Sequence, residues 1–265
     1  MKIFCLSIYN NNFDQLNKLN LIPVGLGDQI FSSQWMTDKG IHDISNKNQN
    51  FGEYTFHYYL WKNKIIREDY DEWIGFCSYR RFWTKIFKKK IDSFSELENI
   101  IIQKEEESWK KFEVILGEPL IFGKIKSSKL IKRNFFEVIK KPSVLYKNTS
   151  LMDQFKIFHG SHFLEKSLSF LSYDNKIKFE DYLNKYELNP YNMFICKNSK
   201  ILNQFYNEIF PWLFKCEEEF KNKNLKGYDK KRIYGFLAER FMPYWFKQNF
   251  KTTSCPITFF ETNKI

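Results

Sequence analysis

Two adjacent arginines, Arg80 and Arg81, follow an apolar run, Trp73-Ile74-Gly75-Phe76-Cys77, after an intervening Ser78-Tyr79. Guanidinium groups are costly to hold beside a core unless an anion meets them, and their planar fork matches phosphate oxygens bidentately. A nucleotide diphosphate is the natural partner, and pairing with the nearby acids Asp69, Asp71 or Glu72 is the structural alternative. A second polar group, Ser45-Asn46-Lys47-Asn48, supplies a hydroxyl, two amides and an ammonium just ahead of a helical pattern. It suits ribose and phosphate contacts as well as it suits a plain capping loop. Glu53 reads either as a catalytic or sugar-binding carboxylate, or as the acid of a capping box begun three residues earlier by Asn50. Near the C-terminus, Arg232, Gly235 and Glu239 line one flank of a helix at spacings of three and four. Glu239 would then point into a pocket and Gly235 would admit a ligand closely, with an exposed charged stripe as the alternative.

Other chemistries are missing from the pattern. The sequence holds no P-loop, no Gly-rich dinucleotide fingerprint and no Ser-His-Asp order. His57, His159 and His162 are too far apart in sequence to argue for a metal site. The five cysteines, at positions 5, 77, 196, 216 and 255, form no C-x-x-C pair, which predicts reduced, mostly buried thiols. A net charge of +11 suits an anionic partner: nucleic acid, an acidic membrane surface or a phosphorylated substrate. Basic residues concentrate between Arg80 and Lys90 and between Lys124 and Lys141, the second segment reading as a solvated lysine face. Aromatics reach 19%, with 29 Phe and 15 Tyr, so a module that stacks single-stranded nucleic acid is the competing class. Basic clusters near Trp and Phe would also let the protein rest on an anionic inner membrane. No stretch of roughly 18 uninterrupted apolar residues occurs, and the apolar start is too brief for a signal sequence, so a cytoplasmic protein is expected.

The elements that must position these residues alternate in α/β fashion over one expected domain, 1–265. Ile3 to Ile8 reads as a strand buried on both faces, Trp73 to Cys77 as a central strand ending at the arginines, and Val114 to Leu116 and Met193 to Cys196 as further strands. Apolar positions Phe51, Tyr54, Tyr58 and Trp61 predict a helix over 51–63 with Asn50 as its N-cap. Helices are also expected over 95–107, in two or three pieces over 152–186, over 199–220 with a bend at Pro211, and over 229–241 with a stop at Pro243. Ile257 to Phe260 reads as a last strand.

Four ordered blocks resemble a known family, the capsular and O-antigen polysaccharide biosynthesis proteins, a domain of unknown function that includes galactofuranosyltransferases. They are Asp43 to Asn48 with Glu53-Tyr54-Thr55 and Leu60 to Asn63; Ile74 to Phe82; Tyr191 to Ile195 leading into Phe210 to Phe214; and Arg232 to Arg240. The chain departs from the family pattern at Gly52, where a Cys is usual, and at Ser78, where a His is usual. The resemblance implies a GT-A-like, Rossmann-like fold with a mostly parallel sheet and a helical C-terminal part. It further implies a nucleotide-sugar donor, UDP-linked, and transfer of a galactofuranosyl or related residue to a capsular or lipopolysaccharide acceptor; resting on the inner membrane would suit a lipid-linked one. The donor set is then Ser45, Asn46, Lys47, Asn48, Tyr79, Arg80 and Arg81; the sugar or acceptor set is Asn192, His159, Arg232 and Arg240. Glu239 is the candidate general base and Glu53 the reserve. No cofactor is expected; a divalent Mn or Mg would lack the usual Asp-x-Asp, whose place the Tyr-Arg-Arg element takes. A retaining transferase or a nucleotide-sugar hydrolase would share the donor site.

Overall fold

The computed structural model describes residues 1–122, 148–221, 223, 225 and 227–262. The basic segment between Lys124 and Lys141 lies outside the described residues. The first half of the chain forms β1 (Lys2–Ser7), α1 (Phe13–Lys18), β2 (Ile22–Gly25), β3 (Met36–Thr37), α2 (Asn48–Phe51), α3 (Tyr54–Lys62), β4 (Ile74–Ser78), β5 (Arg81–Trp83), α4 (Phe94–Ile100), β6 (Val114–Gly117) and β7 (Leu120–Ile121). The second half forms α5 (Leu151–His159), α6 (Ser161–Ser169), α7 (Tyr173–Leu183), β8 (Glu187–Leu188), β9 (Phe194–Cys196), α8 (Ser199–Phe220), α9 (Tyr228–Lys231), α10 (Ile233–Asn249), β10 (Thr252–Cys255) and β11 (Ile257–Phe259).

The main sheet runs β10-β6-β9-β4-β1-β2-β3. Strands β4, β1, β2 and β3 are mutually parallel, as are β10 and β6, while β9 is antiparallel to both its neighbours. Successive side chains leave a strand on opposite faces, and both faces are covered here. Phe4 and Leu6 of β1 join one apolar cluster, Ile3 and Cys5 another. The same split recurs in β6, with Val114 and Leu116 on one side and Ile115 on the other, and in β9, with Phe194 and Cys196 against Ile195. A sheet buried on both faces explains why these strands read as continuous apolar runs instead of alternating ones. The expected mixed α/β architecture, with a mostly parallel sheet and C-terminal helices, is what the chain adopts. All five cysteines are free and buried. Among the described residues, no helix is long and apolar enough to cross a membrane.

Several boundaries differ from the sequence reading. The helix expected over 51–63 is two helices, because Gly52 takes φ +60°, ψ −133°, a conformation outside any helix. Asn50 is therefore no N-cap; its side chain donates to Lys231 O instead. The helix expected over 95–107 stops at Ile100, since Ile101 bridges Thr84 and the Ile102 N–H donates to Trp83 O, drawing both isoleucines into the sheet edge. Pro243 does not stop the last helix, which runs from Ile233 to Asn249. An internal proline costs about 3 kcal/mol. Phe241, Met242, Tyr244, Trp245 and Phe246 on either side are all buried, and at about 1.5–3 kcal/mol each their packing outweighs that cost. Strands β2, β3, β5, β7, β8 and β10 had no sequence counterpart.

Candidate active site

Strands β1, β2 and β4 are in parallel register, so Ser7, Gly25 and Ser78 emerge at one edge of the sheet. Open α/β sheets bind ligands beyond the carboxyl ends of their strands, where loops leave backbone donors unpaired. A cavity of about 470 Å³ opens at that edge. Ile8 and Tyr9 wall it after β1, Ser78 to Arg81 after β4, and Asn48, Gly52 and Glu53 between α2 and α3. Tyr191 and Asn192 close it ahead of β9, and Arg232, Gly235 and Glu239 do so from α10 and its start.

The arginine side is held by backbone stitching. Tyr79 N–H donates to Leu6 O, Phe260 N–H donates to Arg80 O, and the Thr262 hydroxyl donates to Tyr79 O. Arg80 lies over the Tyr79 ring at 5.3 Å and Arg81 over the Tyr191 ring at 4.2 Å. Among the described residues neither arginine has a carboxylate partner. The acids that could have neutralised them are engaged elsewhere: Asp69 with Arg67, Glu72 with the N-terminal ammonium, and Asp71 with the Asn198 amide. Two cations thus face a cavity with no carboxylate on them among the described residues.

The opposite side carries the acids. Glu239 Oε1 accepts from the Tyr191 N–H at 2.7 Å, and its Oε2 lies 3.8 Å from Arg240 Nη1. Glu53 is no capping acid; its Oε2 accepts from Arg232 Nη2 at 2.8 Å, across 179 residues of sequence. Glu53 in turn holds the Arg232 guanidinium above its ordinary pKa. Gly52 makes the pair possible, since a Cβ there would lie 2.5 Å from Arg232 Nη2. Asn192 donates to Gly235 O at 3.3 Å, and its Oδ1 is buried without a partner among the described residues. Asn48 ties the bend together by donating to Gly52 O and Thr55 Oγ1.

Asn48, Glu53, Tyr79, Arg80, Arg81, Asn192, Arg232 and Glu239 therefore come together, and the remaining sequence candidates do not. Lys47 turns to Glu217 at 2.8 Å, Ser45 donates to Asp43 Oδ1 within its own turn, and Asn46 is exposed outside the cavity. His159 is buried, its Nδ1 bonded to Asp229 O and its ring against Phe236. Arg240 is buried behind Glu239, donating to Phe236 O and Gln154 Oε1, and desolvation lowers its pKa. Sequence spacing finds these residues near the site but cannot say which face of a turn or helix each one occupies.

Sequence reasoning missed Tyr191 and Asp38. Tyr191 and Asn192 both take positive φ, +75° and +54°, which aims the Tyr191 N–H at Glu239 while its ring underlies Arg81. Only the Asn of that pair signals a left-handed turn. Asp38 is fully buried beneath the Gly27 turn, accepting from Gly27 N–H and, at 2.6 Å, from the Thr55 hydroxyl; burial raises its pKa. Among the described residues, no three His, Cys, Asp or Glu side chains gather as a metal site would require. A second cavity, of about 460 Å³, lies between α3 and α8 around Trp61 and Asn203 and includes none of the candidates.

The family model described as a domain of unknown function, DUF4422, matches residues 2–250. No curated protein matches the chain. A solved structure described as the apo form of WbbM, a bifunctional glycosyltransferase, is similar with a TM-score of 0.72 at 19% identity. The likeness covers 98% of this chain and 45% of that one, so the chain spans less than half of its structural neighbour. At that identity the likeness shows a shared fold.

Proposed function

This chain belongs to the DUF4422 family, and from its cavity we propose that it is a glycosyltransferase taking a sugar from a nucleoside diphosphate donor. The observation that carries the reading is the pair Arg80 and Arg81, which face the cavity at the strand ends without a carboxylate partner among the described residues. The neighbour's description as a glycosyltransferase supports the same class. In this reading the arginines hold the diphosphate, Asn48 helps seat the nucleotide, Asn192 lines the sugar, and Glu239 is the general base. Glu239 takes the proton of an acceptor hydroxyl as that oxygen attacks the anomeric carbon. The new glycosidic C–O bond forms as the bond from the anomeric carbon to the phosphate oxygen breaks, and the electron pair leaves with the nucleoside diphosphate. Fixed guanidinium groups stabilise that developing charge, the task a divalent metal performs in GT-A enzymes that carry Asp-x-Asp.

The finer assignments are a UDP-linked donor, a galactofuranosyl or related sugar, and a capsular or lipopolysaccharide acceptor, lipid-linked at an anionic membrane. The donor, sugar and glycan follow from the family resemblance, and the membrane placement from the basic clusters near Trp and Phe. The test is release of UDP from UDP-sugars by the purified chain with an acceptor glycan present. Turnover that persists in EDTA and falls about 10²–10⁴-fold in Glu239→Gln, with donor binding kept, is the expected result. Abolition by EDTA, or near-normal turnover in Glu239→Gln, would refute the roles assigned. UDP release that needs no acceptor would mark a hydrolase.

A further inference from the structure

Strand β5 carries Arg81 at the cavity and continues into a loop that turns its apolar side chains outward. Ile86 is 52% exposed and Phe87 62% exposed, and Phe259 of β11, which pairs with Arg81 in the sheet, is 46% exposed. The Lys88 N–H donates to Thr258 Oγ1 at 3.4 Å, which sets this loop beside β11, and Lys89, Lys90 and Phe259 share one shallow surface depression. Phe259 also lies 5.8 Å from the Arg81 guanidinium, so the apolar knuckle begins at the wall of the cavity. Lys88 and Lys90 are paired with Glu96 and Asp92, whereas Lys85 and Lys89 have no acidic partner among the described residues. Exposed large apolar side chains flanked by unpaired lysines are the pattern of a segment that lies in a lipid interface, its rings among the acyl chain ends and its ammoniums on anionic headgroups. Asp92 and Glu261 line the same depression, so the charge that needs complementing is local: Lys85 and Lys89, without acidic partners among the described residues, lie on either side of Ile86 and Phe87, and a bilayer with anionic phosphates meets both the ammoniums and the exposed side chains.

We propose that the Lys85–Lys90 loop and Phe259 form a docking surface for an anionic phospholipid bilayer, placing the cavity mouth at the membrane. The surface stands apart from the transferase reading, and only its use, bringing a lipid-linked acceptor hydroxyl to Glu239, rests on that reading.

The test is co-sedimentation of the full chain with vesicles of phosphatidylcholine alone and with added phosphatidylglycerol, alongside UDP titration in free solution. Wild type should bind the phosphatidylglycerol vesicles, release them as salt rises, and leave phosphatidylcholine in the supernatant. Ile86→Ser with Phe87→Ser, and separately Lys85→Ser with Lys89→Ser, should each weaken vesicle binding by about tenfold or more, with UDP affinity unchanged. Absent binding to anionic vesicles, binding unaffected by both double variants, or self-association that the Ile86/Phe87 variant abolishes in place of vesicle binding would overturn the proposal. Loss of UDP binding in wild type with vesicle binding intact would instead count against the transferase reading.

Discussion

Glu239 is oriented by a backbone N–H at 2.7 Å, closer than the Arg240 guanidinium at 3.8 Å: Tyr191 donates from a turn whose two residues both take positive φ. The same residue offers its ring to Arg81, so one short turn sets a carboxylate and a guanidinium at once. Such strain costs on the order of 1–3 kcal/mol per residue and persists where surroundings over-determine it. Across the cavity Gly52 performs the complementary service by having no side chain. Its φ of +60° and the 2.5 Å approach to Arg232 Nη2 leave no space for a Cβ. Gly52→Ala should therefore lower stability by about 1–3 kcal/mol in urea denaturation, whereas an unchanged midpoint would show that Arg232 yields freely. The arginine pair and Glu239 were legible in the sequence because residue type and position after a strand or on a helix flank carry the signal. The partners of Glu53 and Lys47 were not, since each lies about 170 or more residues away, Arg232 for one and Glu217 for the other.

At the scale of elements, α3 and α8 are joined through His57, whose Nδ1 meets the Tyr206 hydroxyl at 2.7 Å in a wholly aromatic setting. Its Nε2 has no partner among the described residues, and desolvation lowers the imidazole pKa from 6.5 to about 3. The folded state thus keeps His57 neutral while the unfolded chain takes up a proton below pH 6.5. Stability contributed by the neutral ring is present above that pH and is lost as pH falls from about 6.5 toward about 3. The slope from this one group approaches about 1.4 kcal/mol per pH unit. His57→Gln should flatten stability against pH in that window, whatever it does to the level at neutral pH; an unaltered slope would mean the ring is protonated in the fold. The strands with uninterrupted apolar runs and the 199–220 helix were readable as elements, as was the break-up of 152–186 into short helices, of which there are three. Strand β2 was hidden by Pro23 and Gly25, and the continuation of α10 past Pro243 was set by burial that no local pattern encodes.

For the whole molecule, the sheet order sets the functional edge. Parallel β2, β1 and β4 bring their C-terminal ends together, and antiparallel β9 delivers the Tyr191-Asn192 turn to that same edge from the opposite direction. The C-terminal helix then crosses from Arg232 to Glu239 along the cavity, and β11 returns to brace the arginines through β5. One rim of the cavity carries Arg80 and Arg81, the other the Glu53–Arg232 ion pair and Glu239, and the exposed loop beyond Arg81 extends the cationic rim outward. A donor with a diphosphate at one end and a transferable sugar at the other matches that polarity. The most direct test is calorimetric titration of UDP in EDTA, with wild type and with Arg81→Ala. Metal-free binding that weakens about tenfold or more in Arg81→Ala, the loss expected for charge-assisted hydrogen bonds, is the predicted result. No UDP binding, or binding indifferent to Arg81 and dependent on Mn²⁺, would contradict the account.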